Sequence, residues 1–156
     1  MSNNLSERHY GGTFCLAKAG LTEGTNATTI QIAAPNGAGV DFCIDGILYH
    51  KADTDNIAMT ALDQQADDTT CLYLVQINAS GTVSMVKGDE VATADLANDE
   101  VIAQWPEPTA DNCPLGGFRI VTDGGTFTSG TTDLSGTGVT DTFYDFFAVP
   151  PAGLTS

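Results

Sequence analysis

Apolar and polar residues alternate in short runs along this chain, and two pairs of runs are typical of β-hairpins. In the first, the dipeptide Asp45-Gly46 separates the apolar segments 40–44 and 47–51. Asp-Gly is typical of a two-residue type I′ turn, which requires positive φ at both central residues. Such a turn sets the cross-strand pairs, which are Ile44–Ile47, Cys43–Leu48, Phe42–Tyr49, Asp41–His50 and Val40–Lys51.

The second predicted hairpin turns through the polar loop 79–81, which ends in Gly81. A three-residue loop with a left-handed glycine would pair Ile77 with Val83 and Val75 with Met85. Gln76 and Ser84 then lie on the opposite face. Each hairpin therefore has one apolar face, which must be buried against another sheet or against a partner.

The rest of the chain predicts further short strands with long connections. Segment 27–33 has a period of two, with Ile30 and Ile32 on one face and Thr29 and Gln31 on the other. The other expected elements are a first strand at 13–20, a short strand around Ile57 and Met59, a helical turn at most within 89–100, a strand at 114–121 entered through Gly116-Gly117, a long loop or two twisted edge strands at 122–141, and an aromatic strand at 142–149.

Short strands at regular spacing, glycine turns and the lack of an amphipathic helix predict an all-β fold. We expect an antiparallel β-sandwich or barrel built from hairpins. Residues 1–12 are polar, end in Gly11-Gly12 and predict a flexible N-terminal arm. Residues 13–149 then form a single β domain, and residues 150–156 a short C-terminal tail.

The charge balance excludes one class of partner. Twenty Asp and Glu residues stand against five Lys and Arg, for a net charge of −15. The basic residues are scattered singly, whereas phosphate binding needs clustered cations, so we expect no nucleic-acid partner. The N-terminus has no apolar core typical of a signal peptide, and no run is long enough to cross a membrane, so we expect no membrane partner and assembly in a cytoplasm.

The cysteines form no metal-binding motif. No CxxC pair or suitably spaced histidine accompanies them, and Cys43 and Cys71 fall inside apolar strands. We interpret all four, Cys15, Cys43, Cys71 and Cys113, as free buried thiols, although an even count also permits disulfides. The sequons at Asn26 and Asn78 are interpreted as chance matches.

The search for catalytic and ligand-binding motifs finds only weak candidates. His50 opposite Asp41 resembles an oriented general base, but we interpret it as a cross-strand polar pair on a solvent-facing edge. A loose calcium site is conceivable with carboxylates from Asp53, Asp55, Asp67 or Asp68, although the segment departs from the calcium-loop pattern. Exposed aromatic platforms for a carbohydrate could come only from Tyr10, Trp105 and Tyr144, and we expect Trp105 to pack over an open end of the core instead.

There is no GxSxG nucleophile elbow, and the glycines between 124 and 138 do not match a phosphate loop. We therefore predict a protein that is not an enzyme, with no catalytic, cofactor-binding or metal-binding residues and no cofactor.

Three segments together resemble a group of small virion proteins of tailed bacteriophages. They are the hairpin motif FCIDGILYHK, the hairpin motif YLVQINASGTV, and CPLGGFRIVTDGGTFTSGTTDL. The resemblance spans roughly residues 40–147 and rests mainly on turns and strands. It implies a structural role on the virion, namely decoration or cementing of the outer head surface in contact with the major capsid protein or other virion proteins, and by analogy a trimer. It carries over no catalytic residue.

Two other functions stay open at this stage. A tail or head fibre module that binds a host receptor or glycan would need aromatic residues exposed on loops, which Trp105 and Tyr144 could supply. A hydrolase would use His50 with nearby acidic residues.

Overall fold

The computed structural model describes residues 12–98 and 101–147. The predicted tail at 150–156 and all of the predicted arm except Gly12 lie outside these residues, as do Tyr10 and His9. The described chain is almost all β, with antiparallel sheets packed against each other. Its elements are β1 (Phe14–Cys15), β2 (Leu21–Glu23), β3 (Thr29–Ile32), β4 (Val40–Ile44), β5 (Ile47–Lys51), β6 (Thr54–Ala58), β7 (Thr69–Asn78), β8 (Val83–Lys87), β9 (Val91–Ala92), α1 (Thr93–Ala97), β10 (Asn112–Thr122) and β11 (Val139–Asp145).

The first hairpin is confirmed pair by pair. Strands β4 and β5 join antiparallel from Ile44 opposite Ile47 to Val40 opposite Lys51. Asp45 has a φ of 51° and Gly46 a φ of 82°, as a type I′ turn requires. Strand β1 adds to the other side of β4, so the hairpin belongs to a three-stranded sheet of order β1-β4-β5.

A second three-stranded sheet has the order β2-β3-β6. The predicted alternation in β3 is confirmed, since Ile30 and Ile32 are both buried. Strand β6 includes Ile57 but ends before Met59. The first strand predicted at 13–20 is wrong: only Phe14–Cys15 pairs with β4, the chain bends after it, and Gly20 reverses direction with a φ of 62° before β2 begins.

The third and largest sheet has the order β11-β10-β7-β8, with β9 also paired to β7. The predicted pairs of the second hairpin are confirmed, and Gly81 has the left-handed φ of 79°. The expectation of one apolar face is wrong for β7, because every residue from Thr70 to Ile77 is buried. A central strand with cover on both sides of its sheet must bury both of its faces.

Strand β10 differs from its prediction at its start. It begins at Asn112 and continues through Gly116 and Gly117. A β-bulge lies between Pro114 and Gly116. Glycine is required in mid-strand because a Cβ at Gly117 would lie 2.4 Å from the Trp105 ring and from the Tyr73 carbonyl oxygen. The glycine pair is therefore a place of close packing and not the strand entrance.

The glycine-rich segment after β10 is a long loop, one of the two predicted alternatives. It is anchored by the fully buried side chains of Phe127 and Leu134. Phe127 also exchanges backbone hydrogen bonds with Gln65, whose side chain is fully buried and accepts a hydrogen bond of 3.1 Å from the Tyr73 hydroxyl. The loop thus covers one end of the core.

All three sheets contribute to one hydrophobic core. At its centre the Tyr73 and Phe118 rings stack with centroids 5.1 Å apart, and Phe127 meets Tyr73 edge to face. Each sheet is open in the part of the chain described, so the structure shows the sandwich of the two predicted architectures. Helix α1 has five residues, consistent with the single helical turn predicted there.

Candidate interaction surface

The outer face of the β1-β4-β5 sheet exposes a row of apolar side chains. Phe14 lies opposite Cys43, and Cys43 lies opposite Leu48, so the three residues form one cross-strand row. Cys43 is buried in the middle, whereas Phe14 is 37% and Leu48 64% exposed. Strand β5 lies at the edge of its sheet. An apolar row that ends on an unpaired edge strand is a surface suited to a partner.

Two further apolar residues next to this row in the chain are exposed. Ile47 is 59% exposed beside the turn, on the opposite face of β5 from Leu48, and Leu16 is exposed two residues after Phe14. We call Phe14, Leu16, Ile47 and Leu48 the hairpin patch. Leu16 also lines a shallow groove of about 360 Å³, where the Lys18 ammonium lies 5.5 Å from the centroid of the Phe147 ring.

A polar pair borders the hairpin patch. His50 Nδ1 and Asp41 Oδ1 are 2.8 Å apart, and both side chains are about half exposed. This is the cross-strand pair predicted from the register. Within the described residues, Asp41 is the only hydrogen-bond partner of the His50 ring, and no nucleophile lies at hydrogen-bond distance from it. The geometry matches the solvent-facing pair of the two interpretations.

The carboxylates considered for calcium instead organise separate turns. Asp53 accepts a hydrogen bond from the Ala34 amide, and Asp67 accepts one from the Gly125 amide. Asp55 accepts bonds from the amide and hydroxyl of Thr25, which lower the pKa of its carboxyl below the usual value. Residues 12–98 and 101–147 contain no cluster of three or more His, Cys, Asp or Glu side chains placed to hold a metal ion.

The four cysteines are buried free thiols, as predicted. Burial raises the pKa of Cys71 to about 11 and that of Cys113 to about 12. Only the thiolate is a good nucleophile or metal ligand, so the thiols of Cys71 and Cys113 stay protonated and are weak nucleophiles at neutral pH.

The sequence predicts that Trp105 packs over an open end of the core, and this prediction is wrong. Its ring lies across Gly117 on the outer face of the five-stranded sheet, where it meets Tyr144 and Phe146 edge to face at 5.7 and 5.0 Å. The outer face of a central strand needs cover, and the segment that follows α1 supplies it. Trp105 thus covers the outer face of the five-stranded sheet.

The same face carries a residue that the sequence did not single out. Arg119 is half-buried among apolar neighbours, and its Nε is enclosed without a hydrogen-bond partner. The available signal was a single basic residue within the apolar run of β10. From sequence alone, however, this pattern is indistinguishable from an arginine that points to solvent.

Comparison of the chain with protein-family models, with curated proteins and with solved structures finds no match. Residues 12–98 and 101–147 contain no helix that is long and apolar enough to cross a membrane.

Proposed function

We propose that the protein is a non-enzymatic structural component of a bacteriophage virion, which binds the outer surface of the head and cements neighbouring shell subunits. The single observation that carries this proposal is the hairpin patch. Four large apolar side chains are exposed beside an edge strand, although the fold has three sheets in which apolar residues could have been buried.

Two further properties support a role at the outer surface. A net charge of −15 repels packaged DNA and favours a position outside the shell. The resemblance of both hairpin motifs and of segment 113–134 to small phage virion proteins suggests the same class. On a symmetric shell, many copies of a weak contact produce strong collective binding.

The partner of the hairpin patch in this proposal is the major capsid protein or a neighbouring virion protein. An extended segment of the partner would pair with β5 while one of its apolar side chains covers Leu48, as in other cases of strand addition. By analogy with cementing proteins that occupy local threefold positions, the proposal includes a trimer, which light scattering of the purified protein and of the head-bound form would test.

Cosedimentation with phage heads that lack the protein tests the proposal. We expect the wild-type protein to sediment with heads, and Leu48→Asp to remain in the supernatant because it places a charge in the apolar row. Ala61→Asp is the control, since it adds the same charge at an exposed loop position outside the hairpin patch. Wild-type protein that ignores heads but is found in tails, or equal loss of binding in both variants, would overturn the proposal.

The alternative is a tail or head fibre module that binds a host receptor or glycan. It is less well supported, because Trp105 is held over Gly117 and between two aromatic rings and so does not present an open platform for a sugar. A glycan array on which wild-type protein binds and Tyr144→Ala does not would favour this alternative.

A further inference from the structure

The outer face of the five-stranded sheet contains a second surface, separate from the hairpin patch. An open groove of about 420 Å³ lies between this face and the segment that follows α1. Most of its lining residues are apolar, and its charged residue is Arg119. We call it the Trp105 groove, and its main lining residues are Leu72, Leu96, Ile102, Trp105, Arg119 and Tyr144.

Arg119 is poorly compensated in this position. Its Nε is buried without a partner, and one Nη donates only a long hydrogen bond of 3.5 Å to the Thr142 hydroxyl. No carboxylate of the described residues forms an ion pair with it. A half-buried guanidinium without an anion is costly, because the water it has lost is not replaced by an opposite charge.

The groove also lies beside a free sheet edge. Tyr144 belongs to β11, which is the terminal strand of the five-stranded sheet. An edge strand offers backbone donors and acceptors to an added chain. Mostly apolar lining side chains, one under-compensated cation and an adjacent strand edge together match an extended polypeptide that carries an acidic residue next to an aliphatic one.

We propose that the Trp105 groove binds an acidic, aliphatic peptide segment of a partner protein, whose carboxylate pairs with Arg119 and whose apolar side chain packs against Trp105. A planar guanidinium suits this task because it binds a carboxylate through two parallel hydrogen bonds. The site does not depend on the hairpin patch, so the head-binding experiment and the following one can fail independently.

The protein carries its own reporter for the test, because Trp105 is its single tryptophan. The blocked peptide acetyl-Val-Leu-Asp-Leu-amide is titrated while tryptophan emission is recorded, with acetyl-Val-Leu-Asn-Leu-amide as the matched neutral probe. We expect a saturable change in emission with the Asp peptide and affinity about tenfold or more weaker for the Asn peptide, since a charge-assisted pair contributes at least the equivalent of one decade.

Variants locate the effect. Arg119→Gln should remove the preference for the Asp peptide, whereas Lys51→Gln, which removes a cation outside the groove, should leave it unchanged. If Arg119→Gln does not fold, the comparison of the two peptides on wild-type protein still decides. Equal binding of both peptides, no saturable change with either, or binding of free 3-phenylpropionate but not of the peptide would overturn the proposal, the last result indicating a small-acid site instead.

Discussion

The two hairpins have similar sequence signals but opposite environments. Both turn through a glycine with positive φ, and both have the register that alternation and turn length predict. Strand β7 of the second hairpin is nevertheless buried on both faces, whereas β5 of the first is an edge strand with Ile47 and Leu48 exposed. Turn chemistry therefore determines which residues pair, and it does not determine whether the paired strands become core or surface.

The largest expected difference between the two regions is in the free energy of unfolding. Phe118 lies on β10, the strand that pairs with β7, and its ring stacks on the Tyr73 ring of β7. Phe118→Ala leaves a cavity there and should lower the free energy of unfolding by about 3–5 kcal/mol. Leu48→Ala in β5 removes an exposed side chain and should change the stability of the isolated protein by about 0.5 kcal/mol or less. Chemical denaturation of both variants measures this. Similar losses would mean that the hairpin patch is covered within the isolated protein.

A smaller and equal effect is expected at the two turns. Gly46→Ala and Gly81→Ala should each cost about 1–2 kcal/mol, because both glycines have left-handed φ and neither Cβ would meet a close neighbour. Gly125→Ala is the control: its φ is not positive and its nearest neighbour lies at 3.7 Å, so it should be neutral or slightly stabilising. Thermal unfolding at several scan rates would check this. A much larger loss at Gly81 would show that turn strain depends on the burial of the strands.

The smallest expected effect at neutral pH is that of the Cys71 thiol of β7 on the free energy of unfolding. This effect grows in alkaline solution. The pKa of Cys71 is raised by burial from 9.0 to about 11. Above pH 9 the unfolded chain loses this proton while the folded chain keeps it, so stability is fully present below pH 9 and declines as the pH rises towards 11. Cys71→Ala should make this decline shallower in denaturation curves recorded from pH 8 to 11. An identical decline in both proteins would contradict the assignment to Cys71.

The comparison also explains which parts of the surface were predictable. The His50–Asp41 pair and the partners of Ile47 and Leu48 across the hairpin followed from register alone, since a two-residue turn leaves no freedom in the pairing. The Trp105 groove did not follow from the sequence. It needs Trp105 to lie across Gly117, and Arg119 to be enclosed beside Tyr144, through contacts between segments that no local pattern relates.

The errors in the predicted strands also come from contacts between segments that no local pattern relates. Of the strand predicted at 13–20, only Phe14–Cys15 forms a strand, because the register with β4 ends at Cys15. Gly116-Gly117 was interpreted as a strand entrance, whereas the pair lies in mid-strand to make room for the Trp105 ring and for the backbone of β11. The apolar run in β7 already contained the signal of a strand with two buried faces, since continuous apolar residues are typical of such strands.

The sequence by itself determined the all-β class, the two hairpins with their registers and turns, and the acidity of the surface. These depend on side-chain alternation, glycine conformations and charge counts, which are properties of neighbouring residues or of composition. The tertiary structure alone decided that β7 is covered on both sides, that Phe14 and Leu48 stay exposed, and that Arg119 lies in a groove where no carboxylate of the described residues pairs with it. Burial is the sum of contacts from segments distant along the chain, and those contacts exist only once the sheets have packed.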